Sequence, residues 1–197
     1  MIADWISAFS VIAALAGGSW GLYQYRANLK WQRLKYEHEL ELRLYSDPVL
    51  RLNTMFIDWQ DRQIHLPEQY NSYADLNGNF AHSEDRLAVA LAGKSYDESS
   101  GEFELKPEFR TPEYTIYVEV FDEFSAYLEQ VRIMHQNGFV RPSNIPTLLY
   151  IVTRVKDRDY VREYLLNHGM EKALEFMDYV AKQSEYLEVG DRTSRAA

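Results

Sequence analysis

From Trp5 to Tyr25 the chain runs for 21 residues without a charged side chain (WISAFSVIAALAGGSWGLYQY). As a helix rising about 1.5 Å per residue, that stretch is roughly 31 Å long. The hydrocarbon core of a bilayer is about 30 Å thick. The charge spacing therefore predicts a transmembrane anchor over residues 1–25. Two readings compete with it. A signal peptide carries positive charge before its apolar core and a small-x-small cleavage site after it. Ala14-Leu15-Ala16 would supply the site, but the early charge is Asp4, and Arg26, Lys30, Arg33 and Lys35 all follow the apolar run. A buried core helix is the second, and its apolar length is usually about 10–14 residues. Insertion is modestly favourable. Ile6, Phe9, Val11, Ile12, Leu15 and Leu22 contribute about −0.3 to −0.6 kcal/mol each, while three Gly, three Ser and Gln24 detract.

Basic residues close to a membrane helix stay on the cytoplasmic side. Here they lie C-terminal, so the N-terminus is expected outside and the rest of the chain in the cytoplasm. Trp5 at one end, with Trp20 and Tyr23 at the other, fits an aromatic belt at headgroup depth. Arg26, Lys30 and Arg33 form one basic stripe just beyond it. That stripe suits anionic headgroups, although a topology signal alone accounts for it. The absence of cysteine is compatible with a reducing compartment.

Small residues recur along the anchor at steps of three and four: Ser7, Ser10, Ala14, Gly17 and Gly21. Small side chains let helix backbones approach where lipid supplies no hydrophobic drive. The stripe predicts homo-oligomerisation through the anchor.

Removing the anchor leaves enough chain for one domain with a core. Hydrophobic content of 46% and 14% aromatics exclude a mainly disordered chain. A net charge of −9 argues against nucleic acid as a partner, since that binding needs basic surface. No Pro or Gly interrupts residues 26–46, which are expected to continue the membrane helix with Leu29, Tyr36, Leu40 and Leu44 near one face and Glu37, Glu39 and Glu41 outside. Asp47-Pro48 restarts a helix, running to about Ile64. Residues 68–81 read as a loop, and Ser83-Glu84-Asp85 caps a short helix stopped by Gly93. The acidic stretch 93–111 reads as a mobile loop with room for a hairpin at Glu102–Leu105. A long helix from Pro112 to Gly138 shows a core stripe of Tyr117, Phe121, Phe124, Leu128, Val131 and His135. Three further helices follow, the last ending near Leu187, with a polar tail over 188–197. The expected fold is all-α: a transmembrane helix continuing into a cytoplasmic bundle of about five or six helices, the domain spanning 47–187, with no convincing strand pair.

Catalytic and cofactor motifs are absent: no cysteine, no H-E-x-x-H, no P-loop, no G-x-S-x-G. No cofactor and no metal are implied. His38 among glutamates cannot gather them on one ion, because adjacent helical residues point apart. His135 and His168 each precede a glycine and suit a helix C-terminus. Asp75-Leu-Asn77-Gly78-Asn79 resembles an EF-hand opening, but its glycine is misplaced and Arg86 stands where the glutamate belongs; it reads as a turn. Asp122-Glu123 reads as a solvated acidic face.

The order of segments carries a resemblance. Leu22-Tyr23-Gln24-Tyr25-Arg26 closes the anchor, a charged helix follows, and then Leu44-Tyr45-Ser46-Asp47-Pro48. Later come Phe121-Asp122-Glu123-Phe124, Gln136-Asn137-Gly138-Phe139-Val140, Leu149-Tyr150-Ile151 and Tyr160-Val161-Arg162. This order resembles a family of bacterial single-pass membrane proteins of unknown function with a helical cytoplasmic domain. The resemblance implies a bacterial inner membrane and brings no catalytic residues. The expected function is a non-enzymatic, membrane-tethered module whose partners are the bilayer, further copies of itself and a cytoplasmic protein. A membrane-disrupting effector of stress or phage defence, and an enzyme with an unrecognised site, are the alternatives.

Overall fold

The computed structural model describes residues 2–75, 78–97, 102–105 and 111–195, with the backbone alone in 2–14, 94–97, 102–105 and 185–195. Helix α1 (Ile2–Ser46) is a single element of 45 residues, about 68 Å long at 1.5 Å per residue. No helix among the described residues is long and apolar enough to cross a membrane. In the part of α1 where side chains are described, Gly17, Gly18, Ser19 and Gln24 dilute the apolar residues before the charges begin at Arg26.

Asp47 ends α1 and starts α2 (Pro48–Asp58): its Oδ1 accepts the Val49 and Leu50 backbone N–H groups at 2.8 and 3.3 Å, and Pro48 occupies the first turn. The predicted cap is present, but the helix stops at Asp58 rather than near Ile64. Trp59 turns extended and leads into β1 (Arg62–His65). The segment expected as a loop brings the chain through a 3-10 turn (Glu68–Tyr73) to β2 (Asn79–His82). β1 and β2 pair antiparallel with Ile64 opposite Phe80 and Arg62 opposite His82. β1 buries Ile64 alone and β2 buries Phe80 and His82, too few for an alternation to stand out in the sequence.

Helix α3 (Glu84–Gly93) leads into β3 (Lys94–Asp97), which pairs antiparallel with β4 (Glu102–Leu105). The expected absence of strand pairs is thus corrected at two places. The rest of the predicted mobile loop, 98–101 and 106–110, lies outside the described residues. Helix α4 (Pro112–Gln136) carries the predicted stripe, with Tyr117, Phe121, Phe124, Leu128 and Val131 buried. Gly138 terminates it at φ 74°, its N–H bonding the His135 carbonyl at 2.9 Å while Phe139 N–H bonds that of Met134 at 2.9 Å. This left-handed closure favours glycine.

A 3-10 turn (Pro142–Asn144) precedes α5 (Pro146–Val155), followed by α6 (Asp159–Asn167) and α7 (Glu171–Arg195). Helix α7 continues through 188–195, where a polar tail is expected; one glycine costs a helix only about 1 kcal/mol, and no proline follows. Helix α4 lies at the centre, packed against α2, α3 and α7, while α5 bridges α1, α2 and α7. One core runs through all of them, from Leu40 and Leu44 of α1 to Val180 and Ala181 of α7. The all-α expectation stands, with two small hairpins added.

Candidate functional site

The second half of α1 is joined to the domain by a polar clasp. The 3-10 turn and α5 both begin at prolines, and neither has a side-chain cap of its own. Their first N–H groups need acceptors from elsewhere. Glu37 and Glu41, one helical turn apart, provide them. Glu37 Oε1 accepts the Arg141 backbone N–H at 2.8 Å, and Oε2 accepts Asn144 Nδ2 at 2.8 Å. Glu41 Oε2 accepts the Thr147 backbone N–H at 3.2 Å, and Oε1 accepts the Thr147 hydroxyl at 2.5 Å. That hydroxyl has given its proton to Glu41, so the Tyr45 hydroxyl donates to Thr147 Oγ1, at 2.5 Å. Carboxylates at helix N-termini also meet the positive end of the macrodipole.

Glu37 is therefore buried, at 2% exposure, and Glu41 half-buried; only Glu39 stays exposed. The expected placement of all three outside is corrected, because Glu37 and Glu41 flank Leu40 and Leu44 on the side facing 141–147. Around the clasp, Tyr127 donates to the Leu40 carbonyl at 3.2 Å. Arg43 donates to Gln130 at 2.6 Å and to Glu123 at 2.8 Å. A cavity of about 180 Å³ lies beside it, lined in part by Leu44, Tyr45, Arg51, Met55 and Trp59.

Nearer the N-terminus, α1 stands clear of the domain. Trp20 and Tyr23, stacked at 5.8 Å, are exposed with Leu15, Leu22 and Tyr25. A Cβ added at Gly17 or Gly21 meets nothing within 4 Å. Arg26 and Lys30 are exposed, but Arg33 departs from the predicted stripe: it is half-buried and donates to the Gly138 carbonyl at 2.9 Å. The side chains of Trp5, Ser7, Ser10 and Ala14 lie outside the described residues.

The residues weighed for chemistry have structural occupations. Asp122 accepts the Tyr164 hydroxyl, and Glu123 pairs with Arg43. His168 Nδ1 bonds the Tyr164 carbonyl in the last turn of α6 at 2.6 Å, as expected of a helix-terminal histidine. His135 instead bonds the Val140 carbonyl at 3.1 Å and stacks on Tyr179 at 5.2 Å. Asp75 closes the turn before β2, accepting the Asn79 backbone N–H at 2.9 Å. Among the described residues no three His, Cys, Asp or Glu side chains converge as metal ligands would.

One buried histidine carried no sequence signal. His82 is 2% exposed and stacked on Phe56 at 5.0 Å. The Trp59 carbonyl at 2.8 Å can only accept, so Nε2 carries the proton and Nδ1 accepts from the Tyr117 hydroxyl at 3.1 Å. Burial lowers the His82 pKa from 6.5 and pushes the Tyr117 phenol up to about 12. His82 joins the end of α2 to β2 and α4 as a neutral link.

Compared with protein-family models, curated proteins and solved structures, the chain matches none.

Proposed function

We propose that this chain is a membrane-tethered helical module: the N-terminal half of α1 spans the bilayer, and the cytoplasmic domain is presented to a protein partner. The observation that carries this reading is the division of α1 into two environments. Its second half is fixed to the domain by Glu37, Glu41 and Arg43. Its first half has no charge between Trp5 and Tyr25, and the chain covers none of the large apolar side chains described there, from Leu15 to Tyr25. Such side chains on a helix that leaves its own domain need an apolar surrounding. The open face at Gly17 and Gly21 further supports self-association inside the bilayer.

Membrane fractionation tests the tether. The full chain is expected in the pellet after an alkaline carbonate wash, with a chain beginning at Asn28 in the supernatant. Release of the full chain by that wash would overturn the reading.

A further inference from the structure

Helix α1 and the end of α4 form a corner. The two helices run antiparallel, and their contacts climb from Arg43 with Glu123 and Gln130, through Leu40 with Tyr127, to Arg33 with the Gly138 carbonyl. Past that last contact α1 goes on alone. The chain of α4 turns back at Gly138, leaving Gln136, Asn137, Gly138 and Phe139 exposed. Phe139 is 49% exposed although its ring meets Tyr36 edge-on at 6.1 Å. On α1, Arg26, Leu29 and Lys30 stand one and two turns before Arg33 on the same side, and all three are exposed. One wall of the corner is therefore basic helix, and the other is the Gly138 turn with Phe139 and the exposed Arg141. None of the chain's 30 acidic residues falls in 5–36 or 130–156, the two stretches that form it, although the net charge is −9. The first acid after it on α1, Glu37, is taken up by the Arg141 N–H and Asn144.

We infer that the headgroups of anionic phospholipids fill this corner, so that the Gly138 turn rests on the bilayer surface beside the helix that spans it. The inference rests on the tethered reading, which puts Arg26 at the edge of the hydrocarbon. The Arg33 backbone is then about 10 Å beyond that edge, and the headgroup layer covers about 5–8 Å of it. Side chains on a helix lean toward its N-terminal end, here toward the bilayer. Gly138 is held by the tip of Arg33 and Phe139 by the ring of Tyr36, so both are carried over the remaining distance. Lipid phosphates attract Arg and Lys close to the surface, which Arg26, Lys30 and Arg141 supply without an acid between them. Leu29 and Phe139 give the same corner an apolar contact at the depth where headgroup meets acyl chain. A protein partner would have to enter between the domain and the bilayer, where lipid already stands.

The chain has no cysteine, so a fluorophore on a single introduced one reports its depth. Full-length chains carrying Asn137→Cys, in the turn, or Gln60→Cys are labelled and reconstituted in phosphatidylcholine vesicles with or without phosphatidylglycerol. Gln60 follows Trp59, which His82 joins to Tyr117, about 30 Å along α4 from Gly138. A lipid bearing a nitroxide on its headgroup is expected to quench the label at 137 several-fold more than at 60 when phosphatidylglycerol is present. Adding Arg141→Gln and Phe139→Ser to the Asn137→Cys chain is expected to lower that quenching several-fold. Equal quenching at 137 and 60, in a chain that resists the carbonate wash, would overturn the inference and leave the tether intact. Quenching at 137 that is the same without phosphatidylglycerol overturns the assignment to anionic headgroups. Release of the chain by the wash overturns the tether and this inference together.

Discussion

The carboxylate of Glu37 accepts the backbone N–H of Arg141 at 2.8 Å across 104 positions of chain. Its other oxygen holds Asn144, so one buried side chain satisfies two donors at the start of a 3-10 turn. Glu37→Ala takes the acceptor from two donors whose residues, Arg141 and Asn144, are themselves exposed, and the expected loss is about 1–2 kcal/mol. Arg43→Ala removes contacts to Glu123 and Gln130 nearer the solvent, where ion pairs contribute about 0–1 kcal/mol. Urea denaturation of the detergent-solubilised chain separates the two; equal losses would show that the clasp is no stronger than a surface pair.

Asn53 is fully buried in α2, and neither its Oδ1 nor its Nδ2 has a partner among the described residues. Such groups lose their hydration without compensation, at about 1–3 kcal/mol each. Asn53→Leu, close in shape and better in a helix, is expected to raise the melting temperature, and Asn53→Asp to lower it. A melting temperature lowered by leucine would mean that the amide is bonded in solution.

The His82–Tyr117 link contributes to the pH dependence of stability at both ends. The folded state holds His82 neutral below its ordinary pKa of 6.5, while the unfolded chain takes up a proton there. Stability is therefore full above pH 6.5 and falls as the pH drops toward the folded value. At the other end the unfolded chain releases the Tyr117 proton near pH 10.0, but the folded protein keeps it to about 12; stability falls across that interval. Tyr117→Phe is expected to flatten part of the alkaline limb, read by denaturation midpoints at successive pH values.

Docking of α1 depends on Leu40 and Leu44, exposed by 4% and 1%. Each Leu→Ala change costs about 2–5 kcal/mol when the site cannot collapse. Replacing both with alanine is expected to free the helix before the domain melts. Limited proteolysis should then cut between residues 26 and 46 while leaving a fragment beginning near Pro48. An unchanged cleavage pattern would place the strength of the joint in the Glu37 and Glu41 contacts.

What was legible in the sequence follows from the range of each interaction. The α4 stripe, the Asp47 cap and the stop at Gly138 rest on residues within a few positions of one another. Periodicity and capping preferences report them directly. The Glu37 and Glu41 contacts reach residues more than a hundred positions away, and nothing local distinguishes these glutamates from exposed Glu39. His82 is silent for the same reason, since its partners Trp59 and Tyr117 sit on separate elements. The paired strands are silent for a different reason: four residues per strand make no countable pattern. Arg33 shares a stripe with Arg26 and Lys30, but its destination depends on where the end of α4 passes.

Between Ile2 and Ser46 α1 contains no proline and no break, and its far end is joined to the domain at Arg141, Asn144 and Thr147. The element acts as an axle without a swivel. A turn of the helix about its own axis is handed to the start of α5, and so to the heading of the whole domain. On the tethered reading proposed above, the side the domain turns outward is then chosen at the other end of the axle.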